Sequence, residues 1–488
     1  MPALDLDIED KLRLGTRLTG TRAAFDPTVV TELIQSSVIG LSNLVIEDCT
    51  PGKAYVEADQ CLLRYSLRLR DVATGEVRSA VLTGRLFADT ATCLAFFHER
   101  VVPLGRRVEG REEIAGWHSP AAVFEDLRLV VHAFPIDPDL PALIDATEPS
   151  HMSELLRRLV PGSLEPSLEV EGCRIDVAHY PRRNRCVLRY EVIGKLGREE
   201  TSVVVYGKVS TGEPPASREE IEQLGRQLGR NRRVRVPRYV GNVSHLGLVL
   251  IEGIPGRPEI APLIKAVAGG GHEQQAQALA RAVDVSAQVA AGVHNTLGRP
   301  SRARSLEQEA LGLKEEIEAL GRVLPEAVDR LAELLSQVVT EAAGPEPALE
   351  FCHGDFTPSQ ILFDGTDVGL IDFDNLCRAE PALDLGQFCA YMTAAALKAQ
   401  PSDRATNELG SQLRQRFLEA YGGTAITADV DELGERVRAY ERLSLLRMTV
   451  RARRQLKTAR ALLALEAFET TGGTNEKVKE AETRRPWR

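Results

Sequence analysis

The residues best suited to chemistry lie in the stretch Phe351-Cys-His-Gly-Asp-Phe-Thr-Pro-Ser-Gln-Ile-Leu-Phe-Asp-Gly-Thr-Asp-Val-Gly-Leu-Ile-Asp-Phe-Asp. Asp355 is followed five residues later by Gln360, and Asp372 comes twelve residues after that. Phosphoryl transfer uses such a set. One carboxylate orients the attacking hydroxyl and accepts its proton; a second carboxylate and an amide oxygen hold Mg²⁺ against the nucleotide phosphates. Between residues 351 and 390 stand seven acids and one strong base, Arg378. That much negative charge is costly unless solvent or a divalent cation screens it. Acids are also common in turns, and Asp364, Asp367 and Asp374 are read as turn residues.

These groups need a frame. Ile361-Leu-Phe363, the turn at Asp364-Gly365 and Val368-Gly-Leu-Ile371 have the signature of a β-hairpin. Such a hairpin brings Gln360 and Asp372 to one end and leaves Asp355 on the loop feeding its first strand. Upstream, from about Val45 to Glu259, runs such as Cys186-Val-Leu-Arg-Tyr-Glu-Val-Ile and Thr201-Ser-Val-Val-Val-Tyr-Gly-Lys-Val read as strands. From Pro262 onward the chain turns helical, with Ala-, Leu- and Glu-rich stretches at Gln274–His294 and Leu306–Ala343. The polar tail from Thr470 is expected to fray.

The strand region also repeats itself. Cys61-Leu-Leu-Arg-Tyr65 matches Cys186-Val-Leu-Arg-Tyr190, and Val81-Leu-Thr-Gly-Arg85 matches Val204-Val-Tyr-Gly-Lys208. Leu129-Val-Val-His-Ala-Phe-Pro135 matches Val249-Leu-Ile-Glu-Gly-Ile-Pro255. The offsets are 125, 123 and 120, as small loop deletions produce. Two unrelated sheets of similar strand chemistry are the alternative. The expected division is an N-terminal extension at 1–44, a degenerate sheet domain at 45–150, a nucleotide-binding sheet domain at 151–260 and a helical part at 261–488.

Composition narrows the function. At 488 residues, 43% hydrophobic and 27% charged, the chain is long enough for roughly three folding units of ~150 residues. Lys and Arg total 60 against 70 Asp and Glu, a net charge of −10. That balance argues against a nucleic-acid partner. No apolar run approaches the ~18 residues of a membrane span. The acidic start Met1-Pro-Ala-Leu-Asp-Leu-Asp lacks a signal-peptide pattern, so a cytoplasmic location is expected. The eight cysteines include no CxxC pair, which disfavours a zinc ribbon; they read as reduced, partly buried small hydrophobes.

The catalytic stretch resembles the aminoglycoside phosphotransferase and choline kinase family. That family's His-Gly-Asp-x4-Asn is met by His353, Gly354 and Asp355, with Gln360 in the Asn place. Its later Ile-Asp is met by Ile371-Asp372, and its Pro-x-x-Asp-Leu by Pro381-Ala-Leu-Asp384-Leu. The resemblance is specific over the C-terminal two-fifths and looser over Cys173–Gly256. It implies an α+β, bilobal protein-kinase-like fold: an antiparallel-sheet N-lobe, a helical C-lobe and, here, an additional N-terminal domain resembling a duplicated N-lobe.

By the same resemblance Asp355 is the catalytic base, His353 and Asp384 brace its loop, and Gln360 and Asp372 ligate Mg²⁺. Lys208 meets the α- and β-phosphates of ATP, with Glu220 on the next helix as its expected partner. Backbone groups of Glu252 and Ile254 form a hinge for adenine. Two features depart from the pattern. The loop Tyr180-Pro-Arg-Arg-Asn-Arg185 has no Gly-rich cradle, so Arg185 is its candidate phosphate contact. Gln360 is one methylene longer than Asn, which the backbone must absorb to suit octahedral Mg²⁺. Gln here is similar to the maltokinase and glucosamine kinase branch, a pointer to sugar-like acceptors. Arg447, Arg451 and Arg454 recur at helical spacing; they read as a solvated or salt-bridged row, or as contacts to an anionic substrate. The expected activity is ATP-dependent phosphorylation of a small-molecule hydroxyl, on a sugar, amino sugar or aminoglycoside-like compound. Phosphorylation of a peptide, or nucleotide binding without turnover, are the competing readings. A homodimer is compatible with either.

Overall fold

The computed structural model describes residues 18–57, 59–182, 184–211, 217–231, 234–298, 300–342, 344, 347–365, 367–399, 406–423 and 430–471. The tail expected to fray lies almost wholly outside the described residues.

Long alternating runs pair as antiparallel sheets. The first sheet comprises β1 (Leu44–Val56), β2 (Gln60–Asp71), β3 (Val77–Phe87), β4 (Ala121–Phe124) and β5 (Leu129–Ala133), in the order β1-β2-β3-β5-β4. The second comprises β6 (Leu168–Arg182), β7 (Arg185–Leu196) and β8 (Glu199–Ser210). After the two-residue β9 (Val234–Arg235), it is completed by β10 (Tyr239–Val243) and β11 (Leu248–Glu252). Its order, β6-β7-β8-β11-β10, is the same as that of the first sheet.

The likeness extends to side chains. Tyr65 on β2 and Tyr190 on β7 are fully buried, and each hydroxyl donates to a carbonyl before the sheet, Ala24 O and Ala146 O, both at 2.8 Å. Each ring lies against a glycine of the next strand. A Cβ on Gly84 would come within 2.6 Å of the Tyr65 ring, and one on Gly207 within 2.5 Å of the Tyr190 ring. Each sheet turns between its last two strands through a short 3₁₀ segment ending in a left-handed residue, Arg128 in one and Gly247 in the other.

That turn corrects one part of the repeat. Leu129 pairs with Leu86 and Leu248 with Val209, while Gly84 and Gly207 hold the same place in their strands. Leu129 therefore corresponds to Leu248, one residue earlier than the sequence match to Val249. His132 then stands opposite Ile251 in the comparison, not Glu252. The left-handed turn residue sets this register, which strand composition does not encode.

The expected boundaries also shift. Helical residues of Thr21–Ile39, among them Ala24, Val30, Ile34 and Val38, share one core with Leu63, Tyr65 and Leu82 of the first sheet. Leu140, Leu143, Met152 and Leu156 share a core with β6–β8 and β11. Each sheet thus carries the helical segment that precedes it, and the edges expected at 44 and 150 fall inside these packed units. An amphipathic helix must bury its apolar face, and the nearest uncovered sheet face belongs to the strands that follow.

The remainder is helical, built mainly on Glu273–His294, Leu306–Gly321, Val328–Glu341, Pro381–Ala399, Thr406–Gly422, Val430–Arg454 and Thr458–Thr471. Two small ribbons interrupt it. β12 (Glu350–Cys352) pairs with β15 (Cys377–Ala379). β13 (Ile361–Phe363) pairs with β14 (Val368–Leu370), the hairpin expected from sequence, and β14 pairs in parallel with β9. All eight cysteines are free, and seven are buried. Among the described residues no helix is long and apolar enough to cross a membrane.

Candidate active site

The second sheet and the helical part enclose a cleft of about 1130 Å³. On its floor, the loop after β12 is held from below. Asp384, at the start of Pro381–Ala399 and fully buried, accepts the N–H of His353 at 2.7 Å and of Gly354 at 2.8 Å. His294 Nε2 lies 3.2 Å from the same carboxylate. Burial alone would raise the Asp384 carboxyl; the hydrogen bonds and charge of His294 and His353 outweigh it and hold it below the usual range. His294, Cys352 and Asp384 lie close enough together to hold a metal ion, but the carboxylate is already committed to these donors. Gly354 has φ +76°, and a Cβ there would lie 2.0 Å from Asn375 O, so this position requires glycine. Gly354 O accepts from Arg304 at 2.7 Å. His353 Nε2 lies 3.0 Å from Ile371 O, tying the loop to the residue before Asp372.

So braced, Asp355 points into the cleft. Its carboxylate has no hydrogen-bond partner among the described residues. Burial pushes its carboxyl up, and nearby Asp372 adds to this, against the opposing charges of His353, Arg451 and Arg304. A proton acceptor with a raised pKa, in reach of solvent, is suited to general-base work.

The hairpin brings Gln360 and Asp372 together as its length predicts. Ile371 N donates to Gln360 O at 3.0 Å, and the Gln360 amide Nε2 lies 3.4 Å from Asp372 Oδ2. Asp372 is left-handed, φ 69° and ψ 66°, a conformation uncommon outside Gly and Asn and concentrated at functional sites. Lys208 Nζ donates to Asp372 Oδ1 at 2.5 Å and to Asp374 Oδ1 at 2.7 Å. Arg185 reaches Asp374 Oδ2 at 2.6 Å and Asp372 Oδ1 at 3.2 Å. Burial would raise the Asp372 carboxyl; Lys208 and Arg185 reverse this and hold it far below the usual carboxylate range.

Asp374 was read as a turn acid, and the structure corrects that. It faces the same two cations as Asp372 because the 3₁₀ turn Phe373–Asn375 keeps both carboxylates on one side. Its signal in the sequence was its place two residues after Asp372. Asp364 and Asp367 are turn acids as expected, Asp367 N donating to Asp364 Oδ1 at 2.8 Å.

Glu220 is the other correction. It does not meet Lys208. Its carboxylate accepts Ser217 N at 2.7 Å and Ser301 N at 3.0 Å, while Ser217 Oγ accepts Glu220 N at 3.3 Å. Ser217-Arg-Glu-Glu220 is a capping box, and a Glu at the third helical position is more strongly drawn to the helix's free N–H groups than across the cleft. Glu220 does not line the cleft; Lys208 takes its carboxylates from the opposite wall instead.

Glu252 and Ile254 line the cleft. The Glu252 N–H is used by Arg238 O at 2.9 Å and its side chain by Arg238 at 2.8 Å, so it has only its carbonyl to offer a base. The Ile254 N–H has no backbone partner among the described residues. Arg447 is salt-bridged, 2.8 Å from Glu309 and 3.2 Å from Glu316, and it also lines the cleft. Sequence reasoning missed Arg302, Arg304 and Arg460, which join it there and belong to no motif. The first sheet reaches this site as well: Ala54 and Tyr55 of β1 form part of the wall, with the Arg454 guanidinium 4.6 Å from the Tyr55 ring centre.

A kinase-like architecture is thus present, an antiparallel-sheet part over a helical part with a cleft between. Residues 200–440 match the Phosphotransferase enzyme family. The expected enzyme class, a phosphotransferase with an alcohol group as acceptor, stands with it. Solved structures similar to the chain include choline kinase from Cryptosporidium parvum Iowa II, at 13% identity and TM-score 0.44, covering 68% of this chain and 96% of that one. Two crystal forms of glucosamine kinase are also similar. One is 18% identical with TM-score 0.45, covering 69% of this chain and 85% of that one. The other is 16% identical with TM-score 0.44, covering 92% and 98%. No curated protein matches the chain.

Proposed function

We propose that the chain transfers the γ-phosphoryl group of ATP to a hydroxyl of a small molecule. One observation carries this reading: the Asp355 carboxylate, without a hydrogen-bond partner among the described residues, and the Asp372–Asp374 pair, the latter gripped by Lys208 and Arg185, open onto the same cleft. Asp355 accepts the proton of the acceptor hydroxyl. That oxygen forms a bond to the γ-phosphorus, the bond from phosphorus to the ADP oxygen breaks, and ADP leaves with the electron pair. Lys208 and Arg185 bind the nucleotide phosphates, which compete with the two carboxylates for the same cations. The Glu252 carbonyl and Ile254 N–H are the candidate adenine contacts.

The donor set fits Mg²⁺. Two carboxylates and an amide converge, all offering hard oxygen once the Gln360 amide is turned over, and amide orientation is set by its partners. Asp372, Asp374 and Gln360 would hold the ion, and the ion would supply positive charge against the phosphates.

We further propose that the first sheet unit is a second, degenerate copy of the nucleotide-binding unit. Its equal strand order and paired Tyr–Gly contacts support this. Arg85 holds the place of Lys208, but it is buried and pairs with Asp139 of its own connector. Beside it, the Arg64 guanidinium stacks 3.5 Å from the Tyr180 ring centre. The first unit thus turns its counterpart of Lys208 inward to its own connector, and serves the cleft as a wall through Tyr55. Incubation with ATP, Mg²⁺ and pools of small hydroxyl compounds, read by mass spectrometry, tests the function. The expected product gains one phosphoryl group, and no gain with any pool leaves only nucleotide binding.

A further inference from the structure

The cleft has two electrical halves. In the nucleotide half, Asp372 and Asp374 balance Lys208 and Arg185. Beyond Asp355 the wall is formed by Val430–Arg454, the turn after it and Thr458–Thr471. Arg447, Arg451, Lys457 and Arg460 line it, and Arg304, from the segment before Leu306–Gly321, stands beside them. Asp355 is the one carboxylate lining this half among the described residues.

Some of this charge is spoken for. Glu309, behind the wall, binds Arg304 at 2.7 Å and Arg447 at 2.8 Å. Glu316 lies 3.2 Å from Arg447 and only 3.7 Å from Arg451. Arg451 keeps 44% of its side chain exposed, and Arg460 is exposed with no carboxylate partner among the described residues. A solvated basic row would lie on the outer face of one helix. This one spans two helices and the turn between them, and it faces the proposed base, whose ionised form Arg451 and Arg304 favour. Clefts lined by one sign of charge concentrate the opposite sign. Ser444 and Gln455 also line it, with groups suited to hydroxyls.

We infer that the acceptor is anionic: a sugar-sized polyol carrying a phosphate or carboxylate, received by Arg451 and Arg460, with a hydroxyl presented to Asp355. This rests on the kinase reading and gives its acceptor a charge. A cationic amino compound would meet repulsion at the same wall.

The test uses the full chain carrying Asp355→Asn, loaded with ADP and Mg²⁺ and titrated calorimetrically with sugars of one ring type: glucose, glucosamine, glucuronate and glucose 6-phosphate. At least one anionic sugar should bind ten-fold or more tighter than glucose, with glucosamine weakest. Which one binds separates carboxylate from phosphate. Adding Arg451→Gln or Arg460→Gln should lower that affinity about ten-fold, with ADP affinity retained, and Arg451→Glu should favour glucosamine. Binding of glucose or glucosamine as tight as the anionic sugars, no binding of either anionic sugar, or indifference to the arginine changes overturns the inference. Mg²⁺-dependent ATP turnover of the parent chain is measured alongside. Turnover without anionic binding removes the acceptor inference and leaves the kinase; anionic binding without turnover does the reverse.

Discussion

Lys208 Nζ lies 2.5 Å from Asp372 Oδ1, although 164 residues separate them. The contact joins the centre of the second sheet to the strand end that follows the catalytic hairpin. Asp374 shares the lysine at 2.7 Å, so the cation is held between two acids on the far wall rather than by the helix next to its own strand. Nucleotide phosphates and a divalent ion would take over the two sides of this contact.

If Asp355 is the base, Asp355→Asn should keep nucleotide affinity and lower turnover by at least ~10². Asp372→Ala should also remove the Mg²⁺ dependence of nucleotide binding. Near-normal turnover in folded Asp355→Asn protein would sink the assignment.

Turnover should also titrate. The Asp355 carboxyl is raised by burial and by Asp372, and the base works only when ionised. As pH falls, activity should therefore decline above the ~3.9 of an ordinary Asp. The acid limb of the kcat/KM profile measures this, and a limb at or below the ordinary value counts against Asp355 as the base.

Gln360→Ala should raise the Mg²⁺ concentration needed for turnover, whereas Gln360→Glu should keep metal binding, since only the first removes an oxygen near Asp372. An unchanged Mg²⁺ dependence in Gln360→Ala would make the residue a spacer.

Lys208→Ala should cost about 10²-fold in kcat/KM for ATP, the scale of losing one preorganised cationic contact. Arg85→Ala should leave nucleotide affinity intact and destabilise the fold by about 3 kcal/mol, because it removes a buried guanidinium that pairs with Asp139 and lies 4.5 Å from the Phe96 ring centre. Nucleotide titration and urea unfolding of both variants decide it; lost ATP affinity in folded Arg85→Ala protein alone means the two units are assigned backwards.

Asp384→Ala leaves the buried N–H groups of His353 and Gly354 without their acceptor, at a cost of at least ~2 kcal/mol. The folded carboxyl is held below its unfolded value, so its contribution is complete above ~3.9 and fades as pH falls through the lower folded value. Acid unfolding of the variant should show a smaller loss across that window than the parent; an equal loss removes Asp384 as the source.

The sequence by itself determined the hairpin of Ile361–Phe363 and Val368–Leu370, the meeting of Gln360 with Asp372 at its end and the place of Asp355 on the loop before it. These are local: turn residues and alternation set the hairpin, and a few fixed spacings set the motif. Tertiary structure decided the rest. Glu220 was drawn to a helix start rather than to Lys208, because free N–H groups one turn away outcompete a cation across a cleft. Asp374 became a site residue only when folding set it opposite Lys208 and Arg185. The helices before each sheet joined the sheet's core, moving both expected boundaries. Arg304 stands 147 residues before Arg451, and only packing of the last helices against the cleft gathers its charge with that of Arg451 and Arg460 beside Asp355. Long-range electrostatics depends on distance in space, which spacing along a chain does not carry.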